Sequence, residues 1–174
     1  MADSSAHTPD ELLAYLDDLG ISHSTISHPP VFTVDEAKRL RGSLPGGHSK
    51  SLFLKNKEGR MWLVVVGEDQ RVDLDVLAGA LEAKRLSFGS PERLMRYLGV
   101  IPGAVTPFAV INDSGNGVMA AVSAALLAHD QLSFHPLAND QTTSISSKDL
   151  LRFLASTGHE PRVLEAAELA SPVG

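Results

Sequence analysis

The spacing of apolar positions divides the chain into short elements. Leu12, Leu13, Leu16 and Leu19 recur at helical intervals behind Thr8-Pro9-Asp10-Glu11. That quartet is a capping box with proline at the first helical position, and Gly20 closes the stripe, so a helix is predicted here. Residues 21–26 read as a short strand. His28-Pro29-Pro30 forces an extended turn, because proline fixes its own φ and restrains its predecessor. A second capping box, Thr33-Val34-Asp35-Glu36, predicts a helix through Leu40, followed by a loop over 42–47.

Beyond that loop the period changes to two. Lys50 to Lys55 alternates polar and apolar residues, Asn56-Lys57-Glu58-Gly59 has turn chemistry, and Met61 to Val66 is a continuous apolar run. These predict a hairpin whose second strand is buried on both faces. A helix is expected over 73–81, a strand over 85–88, and a helix from Ser90-Pro91 through Leu98. A glycine- and proline-bearing loop over 99–107 follows. Strands are expected at 108–111, 118–122 (its return partner), 132–134 and 142–145, and a last helix over 148–155 ends before Gly158. Many strand pairs are joined by turns too short for a parallel crossover. The expected fold is therefore α/β of the α+β type: a mixed, largely antiparallel sheet surrounded by helices. One domain is expected over 8–164, with a flexible N-terminus (1–7) and a flexible tail (165–174).

Composition narrows the chemistry. With 174 residues, 43% hydrophobic and 21% charged, the chain fits one globular domain with a real core. It has no cysteine, which excludes disulfides, thiol catalysis and cysteine-based metal sites. The seven histidines fall in none of the usual metal-ligand spacings, so neither metal nor cofactor is expected. There is no dinucleotide fingerprint, no phosphate loop, no GxSxG elbow and no evident carboxylate pair. The N-terminal residues lack a basic, then apolar, leader pattern, and no apolar run approaches the roughly 20 residues that span a bilayer. A cytoplasmic protein with no membrane or DNA partner is expected.

Charge adds one feature. The net charge is −6, yet Lys38, Arg39, Arg41, Lys50, Lys55, Lys57 and Arg60 face Glu58 alone within residues 38–60. Lys84, Arg85, Arg93 and Arg96 form a smaller basic group. Local positive charge on an acidic protein suits a local phosphate contact; it equally suits solvated surface elements. Three segments could carry chemistry. Lys50 begins a strand behind a glycine-bearing loop, where a lysine places a charge at a cleft mouth or simply on the surface. Gly103-Ala104-Val105-Thr106-Pro107 could let backbone N–H groups approach a ligand, or serve as a rigid connector. His135-Pro136-Leu137-Ala138-Asn139, followed by Thr142 and Thr143, gathers polar groups at a strand end, as a site or as a hydrogen-bonded loop.

Together these segments resemble one family, the YbaK/ProX aminoacyl-tRNA editing domain. The matching stretches are HPPVFTVDEA (28–37), HSKSLFLKNKEGRMWLVV (48–65), RLSFGSPERLMRYLGVIPGAVTPFAVIND (85–113) and FHPLANDQTTSISSKDLLRFLASTGHEP (134–161). The resemblance implies hydrolysis of the ester of mischarged tRNA(Pro), foremost Ala-tRNA(Pro). The alternatives are Cys-tRNA(Pro), another small amino acid, or a non-catalytic module associated with tRNA or a synthetase. It implies catalytic roles for Lys50, Gly103 and His135. It places His28, Val31, Phe32, Pro107, Asn139, Thr142 and Thr143 around the substrate, and Lys38, Arg39, Arg41, Lys55 and Lys57 against the tRNA. The implied partners are the tRNA(Pro) acceptor end, transiently, and prolyl-tRNA synthetase as a further candidate. Ser51 departs from the asparagine common in relatives, which bears on rate or substrate fit rather than on the activity.

Overall fold

The computed structural model of the chain describes residues 6–30 and 47–171. The predicted helix over 33–40 and the residues Val31, Phe32, Lys38, Arg39 and Arg41 lie outside the described residues. Helix α1 (Pro9–Asp18) starts as its sequence dictates. The Thr8 hydroxyl accepts the Glu11 N–H, and the Glu11 carboxylate accepts the Thr8 N–H, while Leu12 and Leu16 are fully buried. Such a cap contributes about 1 kcal/mol.

Eight strands follow: β1 (Ser24–Ser27), β2 (Gly47–Lys55), β3 (Met61–Gly67), β4 (Ser87–Phe88), β5 (Val118–Ser123), β6 (Gln131–Phe134), β7 (Gln141–Ser146) and β8 (Arg162–Leu164). They form one sheet in the order β1-β7-β6-β2-β3-β5-β8, with β4 also paired to β2. The pairs β1–β7, β6–β7, β2–β3 and β2–β4 are antiparallel; β2–β6, β3–β5 and β5–β8 are parallel. The expected mixed, mostly antiparallel sheet is therefore present. Around it lie α2 (Leu74–Leu81), α3 (Pro91–Leu98), α4 (Ala124–Leu127), α5 (Ser147–Ser156) and α6 (Ala166–Leu169).

Alternation along the strands sorts side chains into two cores. Phe53, Leu63 and Val65 join Leu12, Leu98, Phe108 and Phe153 on one face. Leu54, Trp62, Val64 and Val66 face the other, with Leu77, Leu81 and Leu164. The unbroken apolar run of β3 is thus a strand covered on both sides. Each large side chain so buried contributes roughly 1.5–3 kcal/mol.

Two expectations are corrected. Residues 108–111 are not a strand but part of a 3₁₀ helix, Pro107–Asn112. Pro107 presets the helical φ, and the Thr106 hydroxyl accepts the Phe108 N–H, so the chain turns where its apolar composition suggested extension. Consequently β5 is no return strand and pairs in parallel with β3 and β8. The segment from residue 165, expected as a loose tail, forms α6. Glu165 and Glu168 make a capping box, Leu169 is buried, and its carbonyl accepts the Asp73 N–H at 2.8 Å. A single apolar anchor in an alanine-rich run ties this segment down.

Candidate active site

The site residues gather on the half of the sheet where β1, β7, β6 and the start of β2 lie side by side. Register decides which side chains share a face. Ser24 is opposite Ser144, Ser144 opposite Ser133, and Ser133 beside His48. Leu132, Phe134 and Ile145 occupy the intervening positions and point into the core. One face of this half-sheet is therefore a polar ledge, the other a wall of core. Thr142, two residues before Ser144, continues the ledge opposite Ile26. The parallel pairing of β2 with β6 runs only from Gly47–Leu132 to His48–Ser133. Two residues past its end stand Lys50 on one strand and His135 on the other. They hold equivalent positions where the strands open. Lys50 is also paired with Val66, and alternation puts it on the face of Leu52 and Val66.

The chain leaves β6 because Pro136 has no N–H to donate to the ladder, and it returns through Leu137 in the left-handed region (φ 72°). His135 Nδ1 donates to the Gln141 carbonyl at 2.8 Å, which leaves Nε2 of the neutral ring as a lone pair. Among the described residues Nε2 has no partner. Burial chiefly pushes the His135 pKa below its ordinary value, and the neighbouring His28 adds to this. The Gln141 carbonyl and Asp140 pull the other way without cancelling it. His28 is fixed on both sides. Its N–H donates to the Asp140 carbonyl at 2.9 Å and Nδ1 to the Pro29 carbonyl at 2.8 Å. In the neutral ring Nε2 then accepts the Thr142 hydroxyl at 2.8 Å. The two imidazoles stand 6.1 Å apart, tilted by 53°.

The structure thus brings together His28, His135 and Thr142, with Lys50 next along the opened strands. Thr143 differs. It is fully buried on the core face and bonded to Thr25 Oγ1 at 2.7 Å, a cross-strand tie rather than a lining group. Asn139 is buried in the turn beside them. Pro107 and Ala104 are buried in the layer beneath the ledge, and Gly103 lies half-buried in the 3₁₀ turn Pro102–Ala104. That layer meets the ledge through Phe108, which packs edge-on against Phe134, the neighbour of His135, at 5.7 Å. Lys55 and Lys57 are at the far end of the hairpin, about 17 Å or more from Lys50 at roughly 3.3 Å per residue. Sequence reasoning missed the serine row of the ledge. In β7 the ledge positions Thr142, Ser144 and Ser146 are all polar, but so are Gln141 and Thr143 on the other face, and in β1 the ledge positions are Ser24 and Ile26, so no clean alternation marked the row. No group of three metal-ligating side chains occurs among the described residues. No helix among them is long and apolar enough to cross a membrane.

The family model for the aminoacyl-tRNA editing domain matches residues 28–153, which include every ledge residue except those of β1. The prolyl-tRNA editing protein ProX of Acetoanaerobium sticklandii is 34% identical over 155 residues, 88% of this chain and 94% of that protein. The prolyl-tRNA synthetase associated domain-containing protein 1 of Danio rerio is 38% identical over 156 residues, covering 88% and 85%. In fold, the hypothetical protein APE2540 superimposes with a TM-score of 0.70 at 19% identity, over 87% of this chain and 97% of that one. The chain belongs to the aminoacyl-tRNA editing domain family.

Proposed function

We propose that this chain is a trans-editing deacylase that hydrolyses the aminoacyl ester of mischarged tRNA(Pro), with Ala-tRNA(Pro) as its substrate. The observation that carries the reading is the ledge: Lys50 and His135 at equivalent positions of two opening strands, with His28 and Thr142 beside them. A cation and neutral polar groups at a strand opening suit an ester of ribose flanked by phosphate. An aminoacyl ester is activated, so the chemistry needs positioning and oxyanion stabilisation more than a protein nucleophile. Lys50 would hold a phosphate or ribose oxygen of the terminal adenosine. Backbone N–H groups at Gly103 would stabilise the oxyanion as water attacks the carbonyl carbon and the ribose oxygen leaves with a proton. His135, kept neutral, would bound the amino-acid pocket with Asn139. A pocket too small for proline selects alanine by exclusion, which supplies what a larger apolar pocket could not, since a methylene is worth only about 1–3 kcal/mol. Lys55 and Lys57 would meet backbone phosphates.

The test is a panel of charged tRNAs. Ala-tRNA(Pro) is expected to be deacylated, with Pro-tRNA(Pro) spared; faster turnover of the cysteinyl or another small aminoacyl ester would transfer the substrate. Lys50→Ala should lower the rate about 100-fold or more while leaving the circular dichroism spectrum unchanged. Near-wild-type turnover would sink the role of Lys50. A wild-type protein inert on the whole panel would leave a non-catalytic module, for which pull-down with prolyl-tRNA synthetase is the next measurement.

A further inference from the structure

A second surface lies at the other end of β2. Between its contacts with β6 (at Gly47–His48) and β4 (at Leu54–Lys55), the outer edge of β2 has no strand partner among the described residues. That stretch lies between Lys50 and Phe88, the residue in register with Leu54, and it ends at Phe53, whose carbonyl accepts the Gly89 N–H at 3.0 Å. Lys50, Leu52 and Leu54 share one face by alternation, so Phe88 shares the face of Lys50. The separation along the strand is about 13 Å at roughly 3.3 Å per residue.

Phe88 is 61% exposed, on a strand of two residues. A single exposed phenylalanine is ordinary; its frame is not. Lys84 and Arg85, both exposed, precede it, and Lys55, Lys57 and Arg60 stand on the adjoining hairpin. Only Glu58 and Glu82 oppose these five cations within the two segments 55–60 and 82–88. Lys84 meets Glu58 at 3.4 Å, but both side chains are solvent-exposed, so the pair is weak. The two segments are bolted together. Asn56 Nδ2 donates to the Ala83 carbonyl at 3.2 Å, and its Oδ1 accepts the N–H groups of Glu58 and Arg60. Ala83 and Leu86 are buried, while Glu82 (φ 54°) and Lys84 (φ 68°) hold left-handed conformations unusual for residues other than glycine. Glu82 is the left-handed C-cap of α2, and Lys84 and Arg85 follow it as exposed residues four and three positions before Phe88.

We propose that Phe88, preceded by the exposed Lys84 and Arg85, is a stacking platform for an unpaired base of the tRNA acceptor strand, upstream of the ester held at Lys50. An aromatic face bordered by cations is the usual means of holding single-stranded nucleic acid without reading its sequence. At about 3.4 Å per nucleotide in a stacked strand, 13 Å corresponds to about four nucleotides. Among the described residues, the stretch of the β2 edge from Lys50 to Leu52 has no strand partner and lies between the two points. The inference rests on the deacylase reading for its substrate, so its test uses uncharged RNA, on which hydrolysis plays no part.

The experiment measures binding of an uncharged tRNA(Pro) transcript by fluorescence anisotropy across a salt series. Phe88→Ala should weaken binding about 5- to 150-fold, and Phe88→Trp should retain it. The double variant Lys84→Ala with Arg85→Ala should reduce the slope of log K against log salt by about 1.4–1.8. Binding of Phe88→Ala within twofold of wild type overturns the platform, as does wild-type binding weaker than about 100 μM, the weak end of non-specific affinity. Wild-type self-association that Phe88→Ala abolishes, read by light scattering, overturns it in favour of a protein interface. Phe88-dependent binding without hydrolysis of any charged tRNA would remove the reaction and keep the platform. Hydrolysis with Phe88-independent binding would do the reverse.

Discussion

Two imidazole centres in this molecule are built in opposite ways. At the ledge, His135 uses one ring nitrogen on a backbone carbonyl, is half-buried, and lies against a second imidazole 6.1 Å away. At the far side of the domain, His159 is 4% exposed and uses both nitrogens: Nε2 donates to Asp113 Oδ2 and Nδ1 meets Thr157 Oγ1, each at 2.9 Å. Asp113 is saturated as well, accepting the N–H groups of Gly117 and Val118. The second centre clasps the turn before β5 to the segment after α5. Its groups have nothing left with which to address a ligand. A buried histidine with both ring nitrogens bonded is structural; one whose second nitrogen has no partner among the described residues, at a strand opening, is open to a ligand.

The contrast predicts where stability and selectivity separate. Removing one partner of a buried pair leaves the other uncompensated, at a cost of about 3–5 kcal/mol. His159→Ala should therefore lower the melting temperature by roughly 6–20 °C for a chain of this size. The alanine-to-proline preference of its folded fraction should be unchanged. His135→Ala should do the converse, with a stability loss of about 1 kcal/mol and a preference shifted about tenfold or more. Thermal denaturation and the two deacylation rates decide; equal melting losses in the two variants would erase the distinction between the centres.

The two centres were unequally legible in the sequence. The ledge announced itself locally, because His135-Pro136 and the threonines after it are polar residues crowded at a strand end. The pairing of Asp113 with His159 spans 46 residues and left no local pattern. The register of β2 on β6, which brings Lys50 level with His135, is non-local in the same way. The caps of α1 and α3 were readable because Thr8 and Ser90 bond residues within their own first turns. At residues 107–112 local reading failed, since a turn set by Thr106 and Pro107 overrode an apolar tetrapeptide. In Gln-Thr-Thr-Ser-Ile-Ser of β7, polar residues stand on both faces, so period two could not tell that Thr142 faces the ledge and Thr143 the core.

Acid should separate the centres next. Burial alone would raise the Asp113 pKa, but hydrogen bonds from His159, Val118 and Gly117 outweigh it and hold the carboxyl below its ordinary value. Its contribution is therefore complete above about pH 4, the ordinary carboxylate value, and is lost as pH falls through the lower folded one. The His135 pKa is also lowered, so the unfolded chain takes up that proton first. Its contribution is complete above about pH 6.5 and declines as pH falls from there through the folded value. Urea midpoints from pH 8 to pH 3 should show Asp113→Asn removing part of the decline below pH 4, and His135→Gln part of the gentler decline that starts nearer pH 6.5. A decline unaltered by either variant would break the assignment for that centre.

The smallest effect is the sharpest comparison, because each centre places a threonine hydroxyl on an imidazole nitrogen: Thr157 on His159 at 2.9 Å and Thr142 on His28 at 2.8 Å. Valine keeps the shape of threonine and removes the hydroxyl. Thr157→Val strands a nitrogen that water cannot reach, so the full desolvation penalty applies, about 1–3 kcal/mol. Thr142→Val strands a nitrogen on a half-buried ring at the ledge, where water can replace the lost partner, so the cost should be no more than about 0.5 kcal/mol. His28 would then lose its lock rather than its solvation. The expected signature is a raised KM for Ala-tRNA(Pro) with an almost unchanged urea midpoint. If Thr142→Val instead cost as much as Thr157→Val, the ledge would be as closed as the clasp, and the opening between β2 and β6 could not admit the terminal ester.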